Sequence, residues 1–154
     1  MGDASHSIVP FYGQGMNASL EDVRIFDELL DEHDEVPTDD TQDWEPIFEA
    51  FQNRRKENTD AIADLAVDNF YEMRDHVDDV AFIRKRQIEM KLEQEYSDYY
   101  SKYSLVTFLP DVTYREAMLR GRKQNELLLE MCKNDDFKEI PLEEYYKKVN
   151  AIKV

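Results

Sequence analysis

The stretch "GDASHSIVPFYGQGMN", residues 2–17, sets two of the chain's four glycines on either side of Gln14. A Gly-Asp pair, an apolar loop, closely spaced glycines and then a helix start form an arrangement able to hold a cofactor. Asp3 can accept hydrogen bonds from sugar hydroxyls, while Gly13 and Gly15 let backbone N–H groups approach a ligand closely. The helix that follows turns the positive end of its dipole toward any anionic atom placed there. Spacing alone leaves two readings open, a tight structural turn and a cofactor loop. "GQG" is not the dinucleotide fingerprint, which needs G-x-G-x-x-G after a strand, and no such run occurs in the chain.

Outward from this loop, composition narrows the function classes. Of 154 residues, 35 are Asp or Glu and 19 are Lys or Arg, a formal net charge of −16. Such a surface repels phosphate backbones and anionic lipid heads, so neither nucleic acid nor a membrane is expected as a partner. No apolar run approaches the ~20 residues needed to span a bilayer, and the start lacks the basic and apolar segments of a secretory signal. The chain is read as soluble and cytoplasmic. Its single cysteine, Cys132, has no Cys or His at metal-ligand spacing and is read as a structural thiol. The acid-rich run from Asp27 to Glu49 lacks a calcium-loop pattern and reads as a solvated face, so no metal is expected.

Hydrophobic spacing predicts a mostly α-helical chain. Leu20, Val23, Phe26, Leu29 and Leu30 mark one inward face of a helix running to about Asp34, with Asn17 or Ser19 as its cap. "EVPTDDTQDWEP" reads as a loop. A short helix carrying Ile47, Phe48 and Phe51 inward follows. A longer one begins near Thr59, with Ile62, Leu65, Ala66, Asn69, Phe70, Met73 and Val77 on its stripe. Val80, Ile83, Ile88 and Leu92 mark the next helix. "YSKYSLVTFLPDVTY" is the only stretch with strand-like alternation. Pro110 and Asp111 then turn the chain into a helix from about Tyr114 to Met131, and "PLEEYYKKVNAIKV" makes a last amphipathic piece. The organisation predicted is a loop and helix over 1–34, an acidic loop and short helix over 35–58, and a helical region over 59–154.

"GDASHSIVPFYGQGMN" resembles the second flavin motif of the aromatic-ring hydroxylases, the single-component FAD monooxygenases, in which G-D-A-x-H is followed by P-x-x-G-x-G-x-N. Together with "NFYEMRDHV" and "YSLVTF…VTYREAM", in that order, it is similar to the branch of that family that hydroxylates kynurenine. Ser5 stands where the family commonly has alanine, and the acidic "DEVPTDD" has no family counterpart. The match begins roughly two-thirds of the way into such an enzyme. The resemblance therefore implies the C-terminal part of an α/β, Rossmann-like FAD-dependent hydroxylase, lacking the N-terminal dinucleotide-binding βαβ unit and inactive without it. It implies FAD as cofactor, NADPH as co-substrate, and L-kynurenine and O2 as substrates. Asp3 would bond the ribityl chain, Pro10, Gly13, Gln14 and Gly15 would run along the isoalloxazine, and Met16 and Asn17 would offer N–H groups to the pyrimidine edge. Asn69 and Tyr103 would hold the substrate's amino-acid carboxylate, and no residue of the chain is assigned a catalytic role. The ending "KKVNAIKV", in place of the apolar tail of eukaryotic relatives, fits a soluble form.

Each residue also has a plainer reading. Asn69 reads as a core amide bonded to backbone, Tyr103 as a half-buried ring, and Met73 as core filler. His6 reads as a structural hydrogen-bonding group, and His33 and His76 as surface or packing residues. The alternatives to this enzyme part are a non-catalytic helical relic or interaction protein, or part of an aromatic hydroxylase with another substrate.

Overall fold

The computed structural model describes residues 1–33, 43–75 and 78–153, and among these it contains six α-helices and three 3-10 turns but no strand. The mostly helical expectation holds. The chain divides into two compact units, Met1–Asn69 and Phe70–Val154.

The first unit is built on α1 (Gly15–Glu32) and α2 (Glu45–Asp75, as far as Asn69), with 3-10 turns at Gly2–Ala4 and Pro10–Tyr12 ahead of them. The inward line of α1 is Ala18, Asp22, Ile25 and Leu29, all buried at helical spacing. This corrects the expected face: Leu20 and Val23 point outward, 62% and 56% exposed. The reason is that a small residue and a carboxylate carry the inner line, and a hydrophobicity pattern counts neither as core. The cap also differs. Gln14 is the N-cap with no side-chain cap bond, Asn17 Nδ2 donates to Gln14 Oε1 at 2.8 Å, and the Ser19 hydroxyl bonds back to the Gly15 carbonyl at 2.9 Å.

The predicted short helix and the one from Thr59 are a single continuous helix, α2. It starts where the Asp43 carboxylate accepts the Glu45 N–H at 2.9 Å, with Pro46 in the first turn. Thr59 turns its hydroxyl back onto the Arg55 and Lys56 carbonyls, at 3.2 and 3.1 Å, and so sits in a helix interior rather than opening one. Ile47, Ala61, Ile62, Leu65 and Ala66 are buried. Phe26 stands edge-on to Phe51 at 5.7 Å and stacks on Phe48 at 6.2 Å, yet Phe48 remains 55% exposed rather than inward. Asp34, the acidic "DEVPTDD" segment, His76 and Val77 lie outside the described residues.

In the second unit α5 (Tyr114–Cys132) packs with α3 (Val80–Glu95), α4 (Lys102–Phe108) and α6 (Leu142–Asn150). Asp79 caps α3 through the Ala81 and Phe82 N–H groups, and Thr113 caps α5 through the Glu116 N–H at 3.2 Å, a Thr-x-x-Glu start. The core joins Ile88, Leu92, Tyr99, Leu128, Cys132, Phe137, Tyr145 and Val149. Cys132 is fully buried, as a structural thiol should be, and burial pushes its pKa up. Ile88 and Leu92 face inward as expected, whereas Val80 and Ile83 are exposed.

The strand-like stretch is helical. Ser101 opens α4 by accepting the Ser104 N–H, and Leu105 is buried on the inner side with Lys102 and Ser104. A local cap and burial at helical spacing outweigh a β-rich composition here. Pro110, just beyond, discourages continuation of the helix.

Close approach of α4 and α5 rests on Gly121, where an added Cβ would lie 2.5 Å from Lys102 Cγ and 3.0 Å from Lys102 Cα. Those atoms cannot swing away as a side-chain end can. Gly121→Ala gains up to about 1 kcal/mol of helix propensity but overpacks the site at about 1–3 kcal/mol. A net loss of stability is expected, read as a lower urea midpoint with an unchanged m-value; a raised midpoint would refute the close packing.

Candidate functional site

The loop of residues 2–17 is a pinned structure rather than a loose end. Gly2, at φ 58°, takes a conformation open to glycine and turns its N–H onto Asp22 Oδ2 at 2.8 Å. His6 Nε2 lies 2.6 Å from the same oxygen; a carboxylate can only accept, so this nitrogen carries the proton. The His6 Nδ1 is buried and has no hydrogen-bond partner. Arg55 closes the arrangement from α2: its Nε donates to Asp22 Oδ1 at 2.8 Å, and its terminal nitrogens reach Glu21 Oε2 at 2.7 Å and the Ala18 carbonyl at 3.1 Å. Asp22 is wholly buried and Arg55 is 2% exposed. Burial raises the Asp22 pKa, but hydrogen bonds from the Gly2 N–H, Arg55 and His6 more than offset it, leaving the carboxyl below its ordinary 3.8.

Farther along, the 3-10 turn Pro10–Tyr12 buries Tyr12 and closes on Gly13, whose φ of 70° is the left-handed conformation that favours glycine. Asn69 Nδ2 donates to the Phe11 carbonyl at 2.5 Å, tying α2 to this turn. Thus Asn69 does make the backbone bond of its plainer reading, and the backbone it holds belongs to the glycine loop. A Cβ added at Gly13 or Gly15 would meet no atom within 4 Å, so the loop presents an open face there. The first turn of α1 behind it has no side-chain cap. Asp3, Pro10, Met16 and Asn17 are exposed, and Gln14 is buried.

Tyr103 lies in the second unit, on the outer side of α4, and is 49% exposed. Its helix is held from beneath: Lys102 pairs with Glu72, and Glu93 accepts the Ser101 N–H at 3.1 Å and the Ser104 hydroxyl at 2.5 Å. Met73 is 60% exposed and is not core filler. Among the described residues no cluster of side chains fits a metal ion, and no helix is long and apolar enough to cross a membrane.

Known proteins of similar sequence share one name. The chain is 45% identical over 154 residues to a kynurenine 3-monooxygenase of Cytophaga hutchinsonii, matching 99% of this chain and 33% of that protein. It is 42% identical over 144 residues to the Dictyostelium discoideum kynurenine 3-monooxygenase and 37% identical over 129 residues to that of Candida albicans, covering 31% and 27% of them. The chain matches a segment of the kynurenine 3-monooxygenases. It spans about a third of the length of these relatives. No family model matches it.

Sequence reasoning missed Asp22 and Arg55. The apolar spacing of α1 and α2 singles out neither residue as an interior one. The signal was available in spacing: Asp22 falls four residues after Ala18 and three before Ile25, on a line otherwise apolar. His6 does have the structural hydrogen bond expected of it.

Removing the Asp22 charge leaves a buried guanidinium without its main acceptor, a loss of about 3–5 kcal/mol. Because the folded pKa is lowered, the carboxylate's contribution is fully present above its ordinary value of 3.8 and fades as pH falls through the folded value. Asp22→Asn is therefore expected to be least stable relative to the parent at neutral pH, with the gap narrowing in acid. Urea midpoints of both proteins from pH 2.5 to 7 test this; a gap independent of pH would contradict it.

Proposed function

We propose that this chain forms the flavin- and substrate-facing C-terminal third of an FAD-dependent, NADPH-using monooxygenase that converts L-kynurenine to 3-hydroxykynurenine. The observation that carries the reading is the uncapped start of α1 opening behind two glycines whose outer faces are clear. The residues present fit a flavin. Asp3 would accept from ribityl hydroxyls, Pro10 to Gly15 would lie along the ring, and the Met16 and Asn17 N–H groups would face the pyrimidine edge. Bound there and reduced by NADPH, the flavin would supply the activation of O2 needed to hydroxylate an aromatic ring. The helix start favours the negative charge of reduced flavin, because its N–H groups and dipole are fixed in place beforehand.

Asn69 and Tyr103 would hold the amino-acid end of kynurenine, leaving the ring to the flavin. The bond from Asn69 to the Phe11 carbonyl supports this assignment, since it sets a substrate-side amide against the flavin-side loop. The remaining two thirds of the enzyme would hold the adenosine and pyrophosphate of FAD. A flavin gripped by one loop lacks those distributed contacts, so the chain by itself is expected to bind FAD more weakly than micromolar and to hydroxylate nothing.

The test replaces the matching segment of the Cytophaga hutchinsonii relative by this chain. In that enzyme Asn69→Ala and Tyr103→Phe each remove one hydrogen bond to substrate, worth about 0.5–1.5 kcal/mol. The KM for kynurenine should rise roughly two- to tenfold, with kcat affected less. An unchanged KM in both variants would point to a different substrate.

A further inference from the structure

The outer side of α1 carries an apolar stripe that stays exposed among the described residues. Met16, Leu20 and Val23, at helical spacings of four and three, are 73%, 62% and 56% exposed. At about 100° per residue they lie roughly opposite Ala18, Asp22, Ile25 and Leu29, the buried line. A helix with apolar residues on two opposite sides belongs in an interior, and large apolar residues grouped on a surface mark a contact site. Two observations indicate what covers them. The stripe begins in the first turn of α1, directly behind the open face of Gly13 and Gly15. The chain also spans only about a third of its relatives, so about two thirds of such a polypeptide lies outside these residues.

We infer that the Met16–Leu20–Val23 stripe is the surface on which the other two thirds of the monooxygenase polypeptide packs, so that one helix presents its start to the flavin and its outer side to the part holding the rest of it. This rests on the proposed function and names the surface that assembles it. The partner face should be apolar at its centre, and basic residues at its border would suit Asp27 and Asp31, which are exposed along the same side of α1.

Thiol footprinting tests the assignment without disturbing the core. Leu20→Cys is made in the 154-residue chain and in the full-length chimera with the Cytophaga hutchinsonii relative, and maleimide labelling of that peptide is followed by mass spectrometry. Met90→Cys, on an exposed position of α3, serves as the control. The Leu20→Cys thiol should label at least tenfold more slowly in the chimera than in the chain, while the Met90→Cys thiol labels within twofold in both. Equal labelling of the Leu20→Cys thiol in the two proteins overturns the inference. So does labelling in the chain alone that slows as its concentration rises, since the stripe would then serve a second copy. Flavin absorbance and hydroxylation by the chimera report separately on the proposed function: a protected stripe without flavin refutes that reading alone, and a flavin-loaded enzyme with a reactive stripe refutes only the docking surface.

Discussion

One buried carboxylate organises the first unit. Asp22 accepts from the Gly2 N–H, from His6 and from Arg55, so three segments far apart in sequence meet on two oxygens. A buried charge is tolerated only when its hydrogen bonds are made. The loop from Gly2 to His6 therefore cannot shift without stranding Asp22, and α2 cannot slide without stranding Arg55. Asn69 fixes the far end of the same loop through Phe11. Just beyond the second anchor Gly13 adopts the left-handed conformation that finishes the turn. What the arrangement delivers is position: an exposed carboxylate at Asp3 and an uncapped helix start, both set on a scaffold that resists movement.

The second unit solves a related problem in a different way. α4 is only seven residues long and would not persist alone. It is held by polar contacts to two other helices, Glu72 on Lys102 and Glu93 on Ser101 and Ser104, and by the bare flank of Gly121. Burial raises the Glu93 pKa, yet the hydrogen bonds from Ser104 and Ser101 pull it below the ordinary range, so it meets them as an anion. Lys85, buried nearby in sequence on α3, answers burial in the opposite sense: desolvation lowers its pKa despite Glu89, and its ammonium donates to Asn125 Oδ1 at 2.6 Å. These contacts leave Tyr103 on the outer side of a short helix whose inner side is committed.

The helices were legible because their apolar spacing is long and regular, and α5 ends at Cys132, one residue from its expected end. Spacing alone leaves the glycine loop open between a tight turn and a cofactor loop, and the flavin reading of it comes from the family motif. Two of the misread elements share a cause. The face of α1 was read from Leu20 and Val23, but the interior there is set by an ion network that hydropathy scores as surface. The stretch around Ser104 was read as strand-like because its alternation is real, but Ser101, Glu93 and Gly121 decide its state, and two of those three lie outside it in sequence. A helix start was read near Thr59 from the apolar stripe that follows it, yet the Thr59 hydroxyl is satisfied inside one continuous helix. In the first two cases partners from other elements overrode a sound local preference.

The same burial of charge shapes the surface. Among the described residues Arg55, Lys85 and Lys102 are buried, with Asp22 and Glu89 among their partners, so the buried cations outnumber the buried acids. The acidic excess of the described residues consequently lies on the solvated side, where it disfavours contact with other acidic surfaces. A strongly anionic exterior leaves few places where a protein partner could bind without meeting repulsion or stripping water from charge. The outer line of α1 is such a place, because Met16, Leu20 and Val23 carry no charge and α1 is already rigid from its inner side. A contact made there orders little that is not already ordered, so little of its free energy is lost to entropy.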